Sequence, residues 1–585
     1  MLKKNNFFKS VLIDLGLVLL AALLFAASFP NLLIEHGIPF FAWFAYIPIL
    51  IVIHKYGLLS CMGWGAIYGF AAYGLFNYWL GAFHPLAGTI VYSIYLVYHI
   101  VVFLLLKAAD LFYKKRAYLV QWLIWLAYEY LSTQGFLGYS YGVTGYSQWQ
   151  IIPLIQIASV TGVWGVSALV TFPSFWLSAI FQKDSVKKRE DTENKDRKKK
   201  DAKETSLHPR SSPPLNEILI RIKSGDKIPA FIWAAALIAA LVFGFISMKD
   251  FSSYPKAQIA LIQQNTDPWE ATKASTNYLI NQAYRKDLSV LLRLSDEALA
   301  SSPKPQLVVW PETAFIPRIY WQVNYRDDQN TWLLVRDLLE YLASKDIPFL
   351  IGNDDGRMDP SRNPDANEYF RIDYNAAMFY ENGVNTQTYR KLHLVPFTEH
   401  FPYEKQLPWV HKALKDADTH FWEKGDEYTV FQGPGFKFSS PICFEDTFGY
   451  LSRIFVQNGA DIIVNISNDA WSNSLPAQNQ HLSMAVFRSV ENHRSMVRST
   501  ASGQTCAVDP NGRVIAEAAP FAETWLNVAV PVAAQTTIYT RYGDYLGVFF
   551  LAAALTFLLL GVLWYIIGKR KGAVNEYAEK DINRR

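Results

Sequence analysis

The sequence predicts a chain of two parts, an α-helical membrane bundle of about eight spans and an α/β domain. Residues 1–182 contain twelve Asp, Glu, Lys or Arg residues, far fewer than a soluble domain of that length carries. Residues 256–540 instead alternate short apolar strands with amphipathic helices. A mean hydropathy of +0.07 fits a chain that lies partly in lipid and partly in water.

The membrane bundle is predicted from apolar runs. A helix needs about 20 apolar residues to cross a hydrocarbon layer about 30 Å thick. Such runs lie at 10–29, 34–54, 59–80, 88–112, 117–134, 154–181, 229–248 and 544–568. The runs 34–54 and 117–134 are the weakest, so seven or nine spans are the alternatives to eight. The first run resembles a signal peptide, but its length favours a retained helix.

The orientation of the bundle is predicted from four basic clusters, at 3–9, 114–116, 183–228 and 569–571. Lys and Arg concentrate in cytoplasmic loops. With eight spans and the N-terminus inside, all four clusters are cytoplasmic, and 249–543 lies outside. Segment 183–228 holds fourteen Lys or Arg and nine Asp or Glu, which indicates a solvated loop or a surface for anionic lipid headgroups. No aromatic residues are interleaved with this charge, so no nucleic-acid partner is expected.

The α/β domain is predicted from five apolar strands and three amphipathic helices. The strands are expected at 258–265, 306–312, 348–354, 436–445 and 461–469. The helices are expected near 272–300, 330–345 and 477–494. Strands and helices that alternate in this way favour a layered α/β fold.

Three residues with reactive side chains are candidates: Glu312 ends the strand 306–312, Lys391 lies in the run 389–399, and Cys443 lies within 436–445. Taken singly, each has an ordinary explanation, as a helix cap, a surface charge and a small buried side chain. A Cys beside a base and a cation is a candidate nucleophile, however. A papain-like Cys–His site is disfavoured because the local Cys signature is missing and Glu312 and Lys391 stay unexplained. The bases that such a site could use are His393, His400, His481 and His493.

The motifs around these residues resemble the carbon–nitrogen hydrolase (nitrilase) superfamily. The matching segments are Trp-Pro-Glu at 310–312, the run from Lys391 to Glu399, Ile-Cys-Phe-Glu at 442–445 and Asn-Asp-Ala-Trp at 468–471. An eight-span membrane part together with this domain is similar to one branch, the apolipoprotein N-acyltransferases. Gln480 with His481, the strand 496–500 and the loop 145–148 also match that branch.

The resemblance implies an αββα sandwich with a Glu–Lys–Cys triad. It assigns Cys443 as nucleophile, Glu312 as general base and acid, and Lys391 as the cation that stabilises the oxyanion. Supporting or substrate-site residues are implied at the positions Glu399, Glu445, Phe444 and Trp269. The family often has Tyr where this chain has Phe444, so the hydroxyl is missing here. No metal and no cofactor are expected, because no ligand spacing and no phosphate loop occur.

The reaction implied is transfer of a fatty acyl chain from a phospholipid to the N-terminal amine of a diacylated apolipoprotein, by a monomer in a bacterial inner membrane. A membrane-anchored amidase that releases the acyl group to water is the first alternative. A non-catalytic membrane assembly protein or transporter with a vestigial domain is the second, and the intact triad argues against it. Aromatic residues at 313–329 and 401–422 are candidate lids over the site. The predicted divisions are helices one to six at 1–182, a basic loop at 183–228, the seventh helix and a linker at 229–255, a periplasmic nitrilase-like domain at 256–540, and the eighth helix with a cytoplasmic tail at 541–585.

Overall fold

The structure, a computed structural model, describes residues 2–83, 85–180, 227–266, 277–359, 371–416 and 420–582. Most of the predicted basic loop 183–228 lies outside the described residues, and so does Trp269.

The membrane part is a bundle of helices that comes mainly from the first 182 residues. Its helices are α1 (Leu2–Ala27), α2 (Ile47–Lys55), α3 (Leu58–Phe76), α4 (Leu80–Phe83), α5 (Pro85–Tyr113), α6 (Ala117–Ser132), α7 (Ile152–Ile155), α8 (Ala158–Thr161), α9 (Val163–Ile180), α10 (Lys227–Ser247) and α18 (Tyr545–Ile582). Helices α3 and α5 pack closely because Gly65 and Gly69 face α5; a Cβ at either would collide with a carbonyl oxygen, that of His99 or of Tyr95.

Within the described residues, six helical segments are long and apolar enough to cross a membrane. They are Phe7–Ala27, Leu58–Phe76, Ala87–Tyr113, Val163–Ile180, Lys227–Ser247 and Tyr545–Ile567. The two weakest predicted runs form shorter helices. In the run 34–54, Pro39 and Pro48 each lie at the start of a separate helical segment, and α2 has only nine residues. Helix α6 has 16 residues, which is about 24 Å at 1.5 Å per residue. The count of eight spans stays a prediction.

The part after α10 is a sandwich of two six-stranded sheets. The first sheet has the order β12-β1-β2-β3-β4-β5 and the second β11-β10-β9-β8-β7-β6. The first contains β1 (Lys256–Gln263), β2 (Leu307–Val309), β3 (Phe349–Met358), β4 (Arg371–Glu381), β5 (Val384–Arg390) and β12 (Thr524–Pro531). The second contains β6 (Val430–Gln432), β7 (Lys437–Ser439), β8 (Ile462–Ser467), β9 (Ser495–Thr500), β10 (Cys506–Val508) and β11 (Val514–Glu517). The central strands β1–β3 and β7–β9 run parallel, and the others pair antiparallel.

Helices cover the outer face of each sheet. They are α11 (Asn277–Leu299), α12 (Ile319–Tyr325), α13 (Gln329–Ala343), α15 (Gly449–Gln457), α16 (Leu475–Asn492) and α17 (Ile538–Tyr542). Helix α14 (Pro408–Asp416) has no buried residue and stands apart from these layers. Strand β1 shows the alternation that this layering requires: Ile259 and Leu261 enter the core between the sheets, whereas Ala260 and Ile262 pack with α11 and α13. The predicted αββα sandwich is confirmed.

The sandwich rests directly on the membrane bundle. Gln480, near the start of α16, donates from Nε2 to the carbonyl oxygens of Pro30 (2.9 Å) and Phe76 (3.1 Å) at the ends of α1 and α3. Trp79 donates from Nε1 to the Gln480 side-chain oxygen at 3.0 Å. These bonds explain the local role of Gln480 and fix the edge of the sandwich against the helices.

Candidate active site

The structure brings the three predicted residues Glu312, Lys391 and Cys443 to the same end of the sandwich. Lys391 Nζ lies 3.3 Å from Glu312 Oε1 and 2.8 Å from Glu399 Oε1. Lys391 is fully buried, and 6% of Glu312 is exposed. Glu399 also accepts the Val395 N–H at 2.8 Å. The buried ammonium of Lys391 therefore lies between the carboxylates of Glu312 and Glu399 and is shared by both.

Two asparagines orient the Glu312 carboxylate. Asn375, in the middle of β4, donates from Nδ2 to Glu312 Oε1 at 2.7 Å. The backbone N–H of Asn468, just after β8, donates to Glu312 Oε2 at 2.9 Å. With Lys391, each carboxylate oxygen has at least one donor, so the side chain is held in one position. Asn375 was not predicted from the sequence, because a single amide side chain inside a strand belongs to no recognisable motif.

Cys443 occupies a strained turn rather than a strand. The predicted strand 436–445 is too long: β7 ends at Ser439, and Cys443 begins a 3₁₀ helix, Cys443–Thr447. Pro441 has no N–H to donate to a neighbouring strand, and the pairing continues past it as an isolated bridge between Ile442 and Ile466. Cys443 has φ of 51°, a left-handed conformation that non-glycine residues seldom adopt. Asn465 donates from Nδ2 to the Cys443 carbonyl at 3.3 Å and helps to keep the turn.

Glu445 connects the turn of Cys443 to the segment of Lys391. Its Oε1 accepts the N–H groups of Leu392 (2.7 Å) and His393 (2.8 Å), and its Oε2 accepts that of Ile442 (2.8 Å). The Tyr389 hydroxyl lies within 2.9 Å of both oxygens. Glu445 is fully buried. It therefore determines the distance between nucleophile and lysine and does not face the reacting atoms.

The electrostatics of the site favour a neutral thiol and a charged lysine. Desolvation and the Glu312 carboxylate raise the pKa of Cys443 well above its usual range, and Lys391 offsets this only in part. Burial alone would lower the pKa of Lys391, but Glu399 and Glu312 outweigh it and raise that pKa. Burial raises the pKa of Glu445 to about 7, against the pull of its N–H donors and Lys391.

An apolar cavity of about 250 Å³ opens beside Cys443. Its walls come from both parts of the chain: helices α4 and α5, the loop 137–141, the segment 395–398 and the turn after β8. Phe444 lies in this wall, with its ring 6.3 Å from that of Tyr139 and inclined to it by 30°. Phe444 thus contributes apolar surface to the cavity.

None of the four candidate histidines is placed as a base for Cys443 by the contacts that the described residues show. Both ring nitrogens of His481 face carboxylates, Asp446 at 2.7 Å and Asp469 at 3.2 Å. His393 lies with Nδ1 2.9 Å from the Tyr450 hydroxyl. Within the described ranges, no group of three or more His, Cys, Asp or Glu side chains is arranged to bind a metal.

The two candidate lids differ in burial. In the first, 313–329, the side chains Phe315, Ile319 and Trp321 are almost fully buried against the first sheet. This first segment therefore packs against the sheet as an ordinary loop does. In the second, 401–422, helix α14 has no buried residue and Trp409 is 71% exposed. Leu414 of α14 nevertheless lines the cavity, so this segment remains a candidate lid.

The fold and the Glu–Lys–Cys arrangement define the class of a carbon–nitrogen hydrolase domain mounted on a membrane bundle. The sequence model of that family, "Carbon-nitrogen hydrolase", matches residues 258–539, and the model "Apolipoprotein N-acyltransferase N-terminal domain" matches residues 21–176. The chain belongs to the apolipoprotein N-acyltransferase family.

Three relatives show the extent of the similarity. Apolipoprotein N-acyltransferase 1 of Treponema denticola is 42% identical, over 97% of this chain and 98% of that protein. The protein of the same name from Treponema pallidum is 42% identical over 95% and 97%. Apolipoprotein N-acyltransferase of Geobacter metallireducens is 28% identical over 91% and 92%. The resemblance stated from the motifs, and with it the expectation of an acyltransferase enzyme, is confirmed.

Proposed function

We propose that this protein transfers a fatty acyl chain from a membrane phospholipid to the N-terminal α-amine of a diacylated apolipoprotein, through a thioester on Cys443. The observation that carries the proposal is the apolar cavity, whose walls run from the membrane helix α5 to Cys443. Such a cavity suits an acyl chain that enters from the bilayer and ends at the nucleophile. The names of the relatives support the same acceptor.

In the first step, the Cys443 sulfur attacks the ester carbonyl of the phospholipid while Glu312 takes the thiol proton. A resting thiol with a raised pKa needs this base, because little thiolate exists beforehand. Lys391 and a backbone N–H at the start of the 3₁₀ helix stabilise the oxyanion. The C–O bond then breaks, Glu312 returns the proton to the leaving oxygen, and a lysophospholipid departs. The acyl group remains on sulfur as a thioester.

In the second step, the α-amine of the diacylglyceryl-cysteine attacks the thioester carbonyl. Glu312 removes a proton from the amine, the C–S bond breaks, and the proton passes to the Cys443 sulfur. The products are an amide and the original thiol, so the enzyme is regenerated. One carboxylate serves both half-reactions, which predicts ping-pong kinetics.

The roles of the supporting residues follow from their contacts. Glu399 keeps Lys391 charged and directed toward Glu312, while Glu445 maintains the separation of Lys391 from Cys443. Phe444 and the other apolar walls exclude water from the thioester, which favours the amine over hydrolysis. Trp269 is proposed to cover the substrate, as the family resemblance implies.

We further propose that the catalytic domain faces the periplasm from a bacterial inner membrane, with both termini in the cytoplasm. The domain is joined to the bundle by α10 before it and α18 after it, so both connections emerge on one face. The basic clusters at 114–116 and 569–571 support a cytoplasmic position for the opposite ends of the helices. Reporter fusions after residues 116 and 571 test this orientation; periplasmic signals from both would contradict it.

The proposed reaction is tested with purified full-length protein in mixed micelles of phosphatidylethanolamine and a diacylated lipopeptide. The expected products are a triacylated lipopeptide and a lysophospholipid in equal amounts. Free fatty acid without triacylated lipopeptide would show the alternative activity, an amidase that lets water accept the acyl group. Lys437→Met, at an exposed position of β7, is a matched control for lysine variants of the site.

A further inference from the structure

A second cluster of charged side chains lies behind Cys443, separate from the Glu–Lys–Cys group. It consists of Asp446, Asp469, His481 and Arg498, which are contributed by the turn after Cys443, the turn after β8, helix α16 and strand β9. All four side chains are at most 9% exposed. Buried charges persist in proteins when they are paired and hydrogen-bonded.

His481 stands at the centre of this cluster. Its Nε2 lies 2.7 Å from Asp446 Oδ1, and its Nδ1 lies 3.2 Å from Asp469 Oδ1. Arg498 pairs with the second oxygen of Asp446 and lies 3.5 Å from that of Asp469. An imidazole donates to a carboxylate at each nitrogen only as an imidazolium, with two N–H donors. A neutral ring would instead accept at Nδ1 from Arg498 Nη2, which lies 3.3 Å away.

The cluster is connected to the reacting residues on two sides. Asp446 belongs to the same 3₁₀ helix as Cys443 and comes three residues after it. Asp469 directly follows Asn468, whose N–H donates to Glu312. Ser467, the last residue of β8, donates to Asp469 Oδ1 at 2.8 Å. His481, Asp469 and Cys443 all line the apolar cavity.

The net charge of the cluster depends on whether His481 is protonated. Two aspartates and Arg498 sum to a net charge of −1, which a protonated His481 brings to zero. An uncompensated negative charge in this low-dielectric wall would oppose the negative charge that develops on the Cys443 sulfur and on the oxyanion.

We propose that His481 is a positioning residue for acyl transfer: as a buried imidazolium it neutralises the Asp446–Asp469–Arg498 cluster and thereby makes the Cys443 sulfur easier to ionise. The proposal rests on the function proposed above for the step that it assists. It does not make His481 the base for Cys443, because neither nitrogen faces the sulfur.

The groups that face His481 from the surrounding elements are consistent with a charged ring. Burial alone would lower the pKa of His481, and Arg498 Nη2, 3.3 Å from Nδ1, acts in the same direction. Asp446 and Asp469 outweigh both and raise that pKa to about 9. The Tyr141 ring, 6.4 Å away, closes the remaining side. The imidazolium therefore persists through neutral pH.

The test measures the rate of Cys443 alkylation by iodoacetamide against pH, on the full chain in detergent with Cys61 and Cys506 replaced by Ala. His481→Gln removes one positive charge and should raise the alkylation midpoint by about one pH unit. Asp446→Asn removes one negative charge and should lower the midpoint. The double variant Asp446→Asn/His481→Gln restores neutrality, and its midpoint should return close to that of the parent. His393→Gln, which removes a neutral imidazole near the site, should leave the midpoint unchanged.

Opposite shifts for the two single variants and a return in the double variant support the proposal. A midpoint that is unchanged or lowered in His481→Gln, or a double variant that shifts as far as His481→Gln alone, overturns it. If His481→Gln fails to fold, the double variant against Asp446→Asn gives the same comparison, with a higher midpoint expected in the double. If Asp446→Asn fails to fold, the double variant against His481→Gln does so, with a lower midpoint expected in the double. In the transfer assay, His481→Gln should lower kcat at least tenfold with KM little changed. The alkylation midpoint does not depend on acyl transfer, so it separates failure of this proposal from failure of the proposed function.

Discussion

Replacement of Lys391 by Met removes the cation that two buried carboxylates share. Lys391 Nζ lies 3.3 Å from Glu312 and 2.8 Å from Glu399, and the lysine is fully buried. At an effective dielectric constant of 20, one unit-charge pair at 2.8 Å contributes about 6 kcal/mol of Coulomb attraction. Met has a similar length and no charge, so the variant isolates the electrostatic contribution of the ammonium.

The loss should appear in both stability and rate. Removal of one partner from a buried ion pair typically costs about 3–5 kcal/mol in the free energy of unfolding. Loss of an oxyanion donor costs about 10²–10³ in rate. Burial already raises the pKa of Glu399, and Lys391 opposes this rise. Without the cation, the folded pKa of Glu399 moves further above the unfolded value of about 4.3. Protonation of Glu399 then favours the folded variant at low pH, and this stabilisation disappears as the pH rises through the raised pKa.

The assays are thermal unfolding of the full-length protein in detergent between pH 4 and 8 and the rate of thioester formation at pH 7. The difference in unfolding temperature between the parent and Lys391→Met should be small near pH 4 and should widen toward pH 8. Lys437→Met should match the parent at every pH. A pH-independent difference, or a thioester rate within threefold of the parent, would refute the account of Lys391 as the shared cation.

Three further outcomes are expected. Glu445→Gln places an amide NH₂ against backbone N–H donors, so it should lower the free energy of unfolding by about 1–3 kcal/mol, as measured by calorimetry. It should also slow thioester formation, as measured by a single-turnover assay. The pKa of His481 in the folded protein is raised to about 9. The parent should therefore be more stable than His481→Gln by the full amount below about pH 6.5, the ordinary pKa of histidine. This difference should fade as the pH rises through 9, as measured by thermal unfolding. Trp409→Ala, on the exposed helix α14, should increase fatty-acid release relative to transfer if 401–422 is a lid; an unchanged product ratio would count against that role.

The reacting residues could be predicted from the sequence because each lies within a recognisable motif. Glu312 follows β2 and Cys443 lies shortly after β7, two strands that the apolar runs predict. Lys391 follows β5, a strand that was not predicted, so only its motif identified it. In a sandwich with parallel central strands these ends meet at one edge. The extent of the strand around Cys443 was wrong, since periodicity does not detect a turn with positive φ.

The charged cluster behind Cys443 could not be assembled from the sequence. Asp446, Asp469 and Arg498 come from three separate elements, and only the fold brings them to His481. Asn375 carried no signal either, because its partner Glu312 is 63 residues away. Apolar runs predict the six long helices well. They do not reveal how the run 34–54 is divided, because Pro39 and Pro48 break the helix without changing the mean hydropathy.

The most direct test of the central claim is to trap the acyl-enzyme. The full-length protein is incubated with a phospholipid of defined acyl chain and no acceptor, digested at low pH and analysed by mass spectrometry. The proposed mechanism predicts that the peptide containing Cys443 gains the mass of that acyl chain, and that a diacylated lipopeptide removes it as triacylated product. Cys443→Ala should show no adduct and no transfer. An acyl group on another residue, or transfer that survives in Cys443→Ala, would contradict the mechanism.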